Sequence, residues 1–299
     1  MVFFIMGLTN CLCIMLAVAY FTLLERKILG YIQNRKGPNK VGFAGFLQPI
    51  SDAVKLLLKE LTAPFGSNVL FFLTLPLGGL VLGLLLWYLY PWGGALSFPF
   101  FGGMIFLCLS SLSVYITMFS GWASNSLYTF LGALRASAQT ISYEVVLATI
   151  LIFPMVFSTT YSWNHVMGVL PVFCVMPMLF WVWMTSAFAE TNRAPFDFAE
   201  GESELVSGFN TEFGGGLFAL LFLGEYAAIL FMSGASVVWF FHFPGNTSWM
   251  GILILGGLSL IFLIARGVYP RYRYDLLMML CWKSLLPVML SLLMFVLLF

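Results

Sequence analysis

Charged residues are scarce in this 299-residue chain. Asp, Glu, Lys and Arg together make up 8% of it, whereas 61% of the residues are apolar and 18% are aromatic. A soluble globular domain carries roughly 25% charged residues, so the composition excludes that class. The 28 glycines and 13 prolines suit a bundle of membrane helices, in which small residues allow close approach and neighbouring helices compensate for a proline. We expect an all-α, polytopic membrane protein with one membrane domain over residues 1–299.

Motifs for metals, redox cofactors and nucleotides are also missing. The five cysteines lie in apolar runs with no C-x-x-C spacing and no nearby histidine partner, and His165 and His242 are too far apart in sequence to suggest a pair of haem ligands. Neither a G-x-G-x-x-G fingerprint nor a P-loop occurs. We therefore expect this chain itself to bind no metal and no redox cofactor, and we expect no nucleic-acid partner.

Long apolar runs are abundant instead. They are continuously apolar and do not alternate every second residue, which indicates membrane helices and not the strands of a barrel. A run of about 20 apolar residues is long enough to cross a bilayer. We predict eight spans, at about residues 2–24, 69–90, 99–120, 136–157, 169–189, 216–241, 249–265 and 281–299.

The few charges fall on one side of this predicted bundle. With eight spans, all 13 Lys and Arg residues lie on one face, and the connections at 91–98, 158–168 and 242–248 contain no Asp, Glu, Lys or Arg. The positive-inside rule makes the charged face the cytoplasm or the mitochondrial matrix. Both termini are then expected on the opposite side.

The connection after the first span contains a helix of another kind. From Pro49 to Leu61, apolar residues recur at spacings of three and four, opposite Asp52, Lys55 and Lys59. This pattern is typical of an amphipathic helix, which we expect to lie at the bilayer surface. Its simplest function is that of an interfacial anchor.

The connection from Glu190 to Gly216 is strongly acidic, with six carboxylates and one cation, Arg193. Crowded like charges disfavour joint ionisation, so some of these groups should keep protons near neutral pH. A hydrated acidic loop is the alternative, but the interleaved phenylalanines favour a buried, structured segment. The cations of the connection at 266–283 either counter this acidic charge or bind lipid headgroups, and the sequence leaves both open.

Two carboxylates lie inside predicted spans. Glu144 and Glu225 are each about nine residues past a span's start, which is ~14 Å into a core of about 30 Å. A carboxylate at that depth faces the bundle interior or a hydrated cavity. Tyr143 and Tyr226 beside them are able to extend a hydrogen-bonded chain. A proton relay or cation passage is favoured over a neutral glutamate bonded to a carbonyl.

Four stretches resemble a known family. The runs Glu25–Gly42, Arg135–Glu144, Glu190–Asn210 and Tyr269–Asp275 look like the quinone-site membrane subunits of respiratory complex I, the NADH:ubiquinone oxidoreductases. The resemblance covers nearly the whole chain. One departure is the glycine-rich run that follows Glu212, which affects only the flexibility expected before the sixth span.

This resemblance implies a wall and entrance of a quinone tunnel, with ubiquinone as substrate. NADH, FMN and iron–sulfur clusters would bind in partner subunits. Those partners would be hydrophilic-arm subunits at the terminal iron–sulfur cluster and quinone site, and proton-pumping subunits of the membrane arm, with lipids around them. The resemblance also implies the mitochondrial inner membrane with the charged connections facing the matrix, although the residues do not exclude a bacterial inner membrane.

The family's roles carry over to matching positions in two groups. Residues that would line or shape the quinone tunnel are Arg26, Arg35, Asp52 and Arg273. Residues that would couple quinone reduction to proton movement are Arg135, Glu144, Glu190, Arg193, Asp197, Glu200, Glu202, Glu204, Glu212 and Glu225. Two other classes of function remain open, a stand-alone proton- or cation-coupled transporter and a structural anchor for a peripheral complex.

Overall fold

The computed structural model describes residues 2–91, 100–168, 170–199, 208–242 and 249–298. All regular structure within these ranges is helical, which confirms the all-α prediction. The α-helices are α1 (Val2–Ile32), α2 (Gln48–Leu57), α3 (Val69–Tyr88), α4 (Gly102–Ala123), α5 (Leu127–Ser158), α6 (Trp163–Val166), α7 (Val172–Val175), α8 (Pro177–Glu190), α9 (Gly215–Ser236), α10 (Trp249–Val268), α11 (Tyr274–Met279) and α12 (Leu286–Leu298).

Four short elements complete the described chain. Two are 3₁₀ turns, at Phe43–Gly45 and Gly208–Asn210. The other two are π-helical: Val237–Phe241 extends α9, and Leu280–Leu285 joins α11 to α12. The last two α-helices therefore form one continuous helical rod.

Seven helices in the described ranges are long and apolar enough to cross a membrane. They match seven of the eight predicted spans, so the predicted number is approximate. These helices are Met6–Ile32, Val69–Tyr88, Gly102–Ala123, Leu127–Ser158, Gly215–Phe241, Trp249–Val268 and Tyr274–Leu298.

The remaining predicted span, 169–189, is interrupted. Met176 separates α7 from α8 with φ −141° and ψ 81°, and Pro177 begins α8. Proline lacks an amide hydrogen and pushes the preceding residue out of the α region, so one helix cannot run through this point. With 14 residues, α8 is ~21 Å long, which is less than the thickness of a bilayer core.

Three helix ends lie away from the predicted limits. Glu25, predicted to follow the first span, lies inside α1, and Arg135, predicted to open the fourth span, lies eight residues into α5. A helix satisfies its own backbone and need not end at a charge, particularly when that side chain finds a partner inside the bundle. The amphipathic helix is shorter than predicted, because it ends at Leu57 and not at Leu61.

The helices α3 and α9 pack with their backbones in contact. A Cβ built on Gly224 would lie 2.9 Å from the carbonyl oxygen of Gly79, and one built on Gly83 would lie 3.1 Å from the carbonyl oxygen of Gly224. Small residues permit this approach. Trp87 adds a hydrogen bond of 2.9 Å from its indole nitrogen to the Ala227 carbonyl. These contacts fix α9 against α3.

Aromatic packing fixes α8 against the same helix. The ring of Trp183 stacks on Trp239 with centroids 5.9 Å apart. Its indole nitrogen donates a hydrogen bond of 2.8 Å to the hydroxyl of Ser236. Trp183 is fully buried, so its polar atom needs such a partner. The C-terminal end of α8, with Glu190, is thereby held close to α9.

Candidate functional site

A buried carboxylate, Glu25 of α1, lies at the centre of an ion cluster and is only 4% exposed. Arg193 approaches its Oε1 atom at 3.4 Å, and Arg266 of α10 contacts the same oxygen. The hydroxyl of Tyr226 donates a hydrogen bond of 2.5 Å to Oε2, and the Arg193 guanidinium lies 4.4 Å from the centre of the Tyr226 ring. We call these four residues the Glu25 cluster. Two guanidinium groups therefore share the carboxylate of Glu25.

A cavity of about 370 Å³ opens beside the Glu25 cluster, between α1, α2, α9 and α10. Most of its wall is apolar, as at Leu56 and Phe222. Its polar wall contains Glu25, Arg26, Asp52, Tyr226 and Arg266. We call it the α1–α2 cavity.

The amphipathic helix α2 contributes one polar side chain, Asp52, to the wall of this cavity. Arg26 donates a hydrogen bond of 2.6 Å to Oδ2 of Asp52, and Gln48 donates one of 2.9 Å to Oδ1. The structure thus brings together two residues that were predicted to shape a tunnel. The apolar side of α2, including Val54 and Leu57, is exposed, as expected of a helix whose apolar face meets lipid.

A second, smaller cavity of about 100 Å³ has walls from α3, α4, α9 and the C-terminal end of α8. Glu190, Asn192 and Glu225 line it. Among the described residues, Oε2 of Glu190 and Oδ1 of Asn192 are buried without a hydrogen-bond partner. A polar cavity of this size suits ordered water, which would satisfy both atoms. We call it the acidic cavity.

The two cavities lie against opposite faces of α9. Phe222 and Tyr226 of this helix line the α1–α2 cavity, whereas Leu221 and Glu225 line the acidic cavity. At 100° per residue, the two complete sets of lining residues from α9 point in nearly opposite directions. Only the thickness of α9 separates the cavities at this level.

Glu190 lies near two other predicted proton-coupling carboxylates. Glu190 shares the acidic cavity with Glu225, and it lies outside the seven membrane-crossing helices. Burial, reinforced by the charge of Glu144 on α5, raises the pKa of the Glu190 carboxyl to about 8. At neutral pH this raised pKa favours the protonated form of Glu190.

The first of the two described parts of the acidic segment, residues 190–199, is mostly buried and packed, in agreement with the prediction of a structured segment. Asp197 is 8% exposed and accepts a hydrogen bond of 3.3 Å from Arg271. The amide of Tyr272 donates one of 3.0 Å to the Pro195 carbonyl, and the rings of Phe196 and Tyr272 are 5.7 Å apart. The connection after α10 therefore covers the acidic segment.

The arginines at positions 266, 271 and 273 differ in their partners. Arg266 and Arg271 counter buried carboxylates. Arg273 pairs at 2.9 Å with Asp275, and both side chains are exposed. Arg273 therefore remains available to lipid headgroups or to a partner.

The other predicted site residues are more dispersed. Arg35 is exposed beyond the end of α1. Neither Arg35 nor Arg273 is among the described residues that line the α1–α2 cavity. Arg135 is half-buried in α5, and Glu212 is half-buried after the second 3₁₀ turn. The remaining three, Glu200, Glu202 and Glu204, lie outside the described residues.

Sequence reasoning did not assign a role to Glu25 or Arg266, the central ion pair of the site. A signal for Glu25 was present, because Ile14, Val18 and Phe21 form the buried stripe of α1 and position 25 continues their helical spacing. Ending the predicted span at residue 24 hid this continuation.

Apolar helices enclosing buried ion pairs and a cavity lined by carboxylates define a polytopic membrane protein with an internal polar site. The sequence model of the NADH dehydrogenase family matches residues 5–297, and the chain belongs to this family. NADH-ubiquinone oxidoreductase chain 1 of Anopheles gambiae is 52% identical over 295 residues, covering 95% of this chain and 91% of that protein. The protein of the same name from Heterololigo bleekeri is 50% identical over 298 residues, covering 97% and 94%. The resemblance deduced from the four sequence stretches is confirmed.

Proposed function

We propose that this chain is the membrane subunit of an NADH:ubiquinone oxidoreductase, in which the α1–α2 cavity admits ubiquinone and the acidic cavity responds to its reduction. One observation carries the proposal: Glu225 and Tyr226, consecutive in α9, line different cavities. A charge that changes in one cavity is therefore separated from the carboxylates of the other cavity by about the diameter of one helix. The electrostatic interaction between them is strong in surroundings with little water.

The overall reaction is NADH + H⁺ + ubiquinone → NAD⁺ + ubiquinol. NADH loses a hydride, which supplies two electrons and one proton, and ubiquinone takes up two electrons and two protons. The described residues contain no group of three or more His, Cys, Asp or Glu side chains placed to hold a metal ion. The assignment of NADH, FMN and the iron–sulfur clusters to hydrophilic-arm partner subunits stays a prediction, and this chain alone is not expected to reduce quinone.

The walls of the α1–α2 cavity suit a quinone with an isoprenoid tail. Its volume of about 370 Å³ lies within the usual range of small-molecule sites. Apolar side chains would contact the tail, and Arg26, Asp52 and Tyr226 would contact polar parts of the molecule. The guanidinium groups of Arg26 and Arg266 in the cavity wall would favour the negative charge that arrives with electrons on the quinone oxygens.

Arg193 connects the two cavities in this proposal. It contacts Glu25 beside the α1–α2 cavity, and it lies three residues after Glu190 of the acidic cavity. Added negative charge near the Glu25 cluster would raise the proton affinity of Glu190, and its removal would lower it. Glu144 would continue the passage toward proton-pumping subunits of the membrane arm.

The proposed location is the mitochondrial inner membrane, with the charged connections facing the matrix. If α7 and α8 together cross the bilayer as the eighth span, all Lys and Arg residues lie on one face, which supports this orientation. The exposed apolar side of α2 supports a position at the surface of that leaflet.

The test uses Glu144→Gln and Glu225→Gln in the assembled enzyme in proteoliposomes, with Glu60→Gln, an exposed carboxylate outside both cavities, as the matched control. We expect fewer protons pumped per NADH oxidised in Glu144→Gln and Glu225→Gln. Oxidation of NADH by a hydrophilic acceptor that bypasses quinone should be unchanged. A normal proton yield in both variants contradicts the proposed passage.

Purification in mild detergent tests the assignment itself. Co-migration of the chain with flavin- and iron–sulfur-containing subunits supports the oxidoreductase. A lone chain that binds a solute would support a stand-alone transporter instead.

A further inference from the structure

Gln139 of α5 is fully buried and holds the loop between α8 and Asp197. Its side-chain nitrogen donates a hydrogen bond of 2.9 Å to the carbonyl of Ala189 and one of 2.8 Å to the carbonyl of Phe196. Each carbonyl also accepts a backbone hydrogen bond, of 3.3 Å from the amide of Asn192 to Ala189 and of 3.0 Å from the amide of Phe198 to Phe196. The side chain of Gln139 thus adds a second donor at each end of the loop 189–196 and joins both ends to α5.

This loop carries a residue for each cavity. Glu190, one position after Ala189, lines the acidic cavity, and Arg193 contacts Glu25 beside the α1–α2 cavity. Gln139 is not among the described residues that line either cavity. It acts on both only through the loop.

Gln139 and Glu144 belong to the same rigid helix, five residues apart. A loop attached to Gln139 is therefore held at a fixed distance from Glu144. We propose that Gln139 is a positioning residue that sets Glu190 against Glu144 and Glu225 and Arg193 against Glu25. This inference rests on the proposed function.

The charged groups near Glu190 come from several elements. Glu144 belongs to α5 and Glu225 to α9. Arg193 belongs to the loop 189–196, and Asp197 follows this loop directly. Among the residues lining the acidic cavity, α3 and α4 contribute no charged side chain. Release of the loop would increase the separation of Glu190 from Glu144 and admit water, and both changes favour ionisation of Glu190.

The decisive substitution is Gln139→Met, which keeps the length of the side chain and removes both donors. The matched control is Thr140→Val, because Thr140 is also buried and its hydroxyl bonds only carbonyls of its own helix. In the assembled enzyme we expect Gln139→Met to lower kcat for quinone reduction about 10-fold, since small misplacements of reacting groups have effects of this order or larger. KM for quinone should change little. The alkaline limb of the pH profile of kcat should move to lower pH, because Glu190 would lose its proton more easily.

A second substitution, Gln139→Glu, adds a signature that a purely structural role would not give. A protonated glutamic acid keeps one donor for the two carbonyls, whereas a carboxylate repels both. We expect kcat of this variant to recover as the pH falls, while Thr140→Val follows the native profile. This variant also provides the test if Gln139→Met prevents assembly.

The inference is overturned if Gln139→Met assembles and keeps the native kcat and pH profile, or if Gln139→Glu shows no recovery in acid. Glu190→Gln is the reference for the proposed function. If it impairs proton pumping while Gln139→Met is normal, only the role of Gln139 is wrong. If Glu190→Gln, Glu144→Gln and Glu225→Gln all pump normally, the proposed proton passage is wrong.

Discussion

Tyr226 donates a hydrogen bond of 2.5 Å from its hydroxyl to Oε2 of Glu25, although the two residues are 201 positions apart in the chain. This bond joins α9 to α1 at the point where Arg193 and Arg266 also reach Glu25. Four separate parts of the chain therefore meet at one carboxylate. Removal of its charge should affect all of them.

Glu25→Gln leaves two guanidinium groups of the cluster without their shared carboxylate. Loss of one partner from a buried ion pair costs about 3–5 kcal/mol, so thermal unfolding of the purified complex should begin at a clearly lower temperature. Arg26→Gln is the comparison, because the Arg26 side chain is 55% exposed and surface pairs contribute about 0–1 kcal/mol. Equal destabilisation by the two substitutions would show that burial does not determine the strength of these pairs.

Glu190→Gln should remove a protonation step near pH 8 from the infrared difference spectrum of the enzyme. The native carboxyl, whose pKa is raised to about 8 by burial and by Glu144, is protonated below that pH and loses its proton as the pH rises through it. The amide cannot lose a proton, so the variant should lack this step. Infrared difference spectra across pH 6–10 would follow the carboxylic acid band, and a step that persists in the variant would assign it to another group.

Arg271 and Asp197 should show a coupling free energy in a double-mutant cycle. Their charged atoms are 3.3 Å apart, and the side chains are 26% and 11% exposed. Comparison of Arg271→Met, Asp197→Asn and the double variant by thermal unfolding should give about 0.5–3 kcal/mol, the usual range for residues in contact. Strictly additive effects would mean that this pair does not hold the connection after α10 against the acidic segment.

Gly224→Ala should force α3 and α9 apart. Its Cβ would lie 2.9 Å from the Gly79 carbonyl oxygen, and overpacking of this kind costs about 1–3 kcal/mol. Gly256→Ala in α10 is the control, because the methyl group that it adds would meet no other atom within 4 Å. A lower unfolding temperature is expected only for Gly224→Ala, and quinone reduction should fall with it because α9 forms a wall of both cavities.

Several parts of the site follow from local sequence alone. The three-four spacing of apolar residues after Pro49 predicts the amphipathic helix α2, with Asp52 on its polar side. The density of phenylalanines predicts the packing of residues 190–199. The division of roles between Arg271 and Arg273 does not follow in this way, since both come after α10 with similar neighbours and only the fold places one of them beside Asp197.

By itself, the sequence determined that this is a bundle of membrane helices, because hydrocarbon demands long apolar runs whose backbones satisfy themselves. It also showed that a few carboxylates lie inside the bundle. Only the tertiary structure decided which groups those carboxylates meet. Glu25, Arg193 and Arg266 come from distant positions, and the energy of each buried charge depends on partners, distances and access to water that no local pattern encodes.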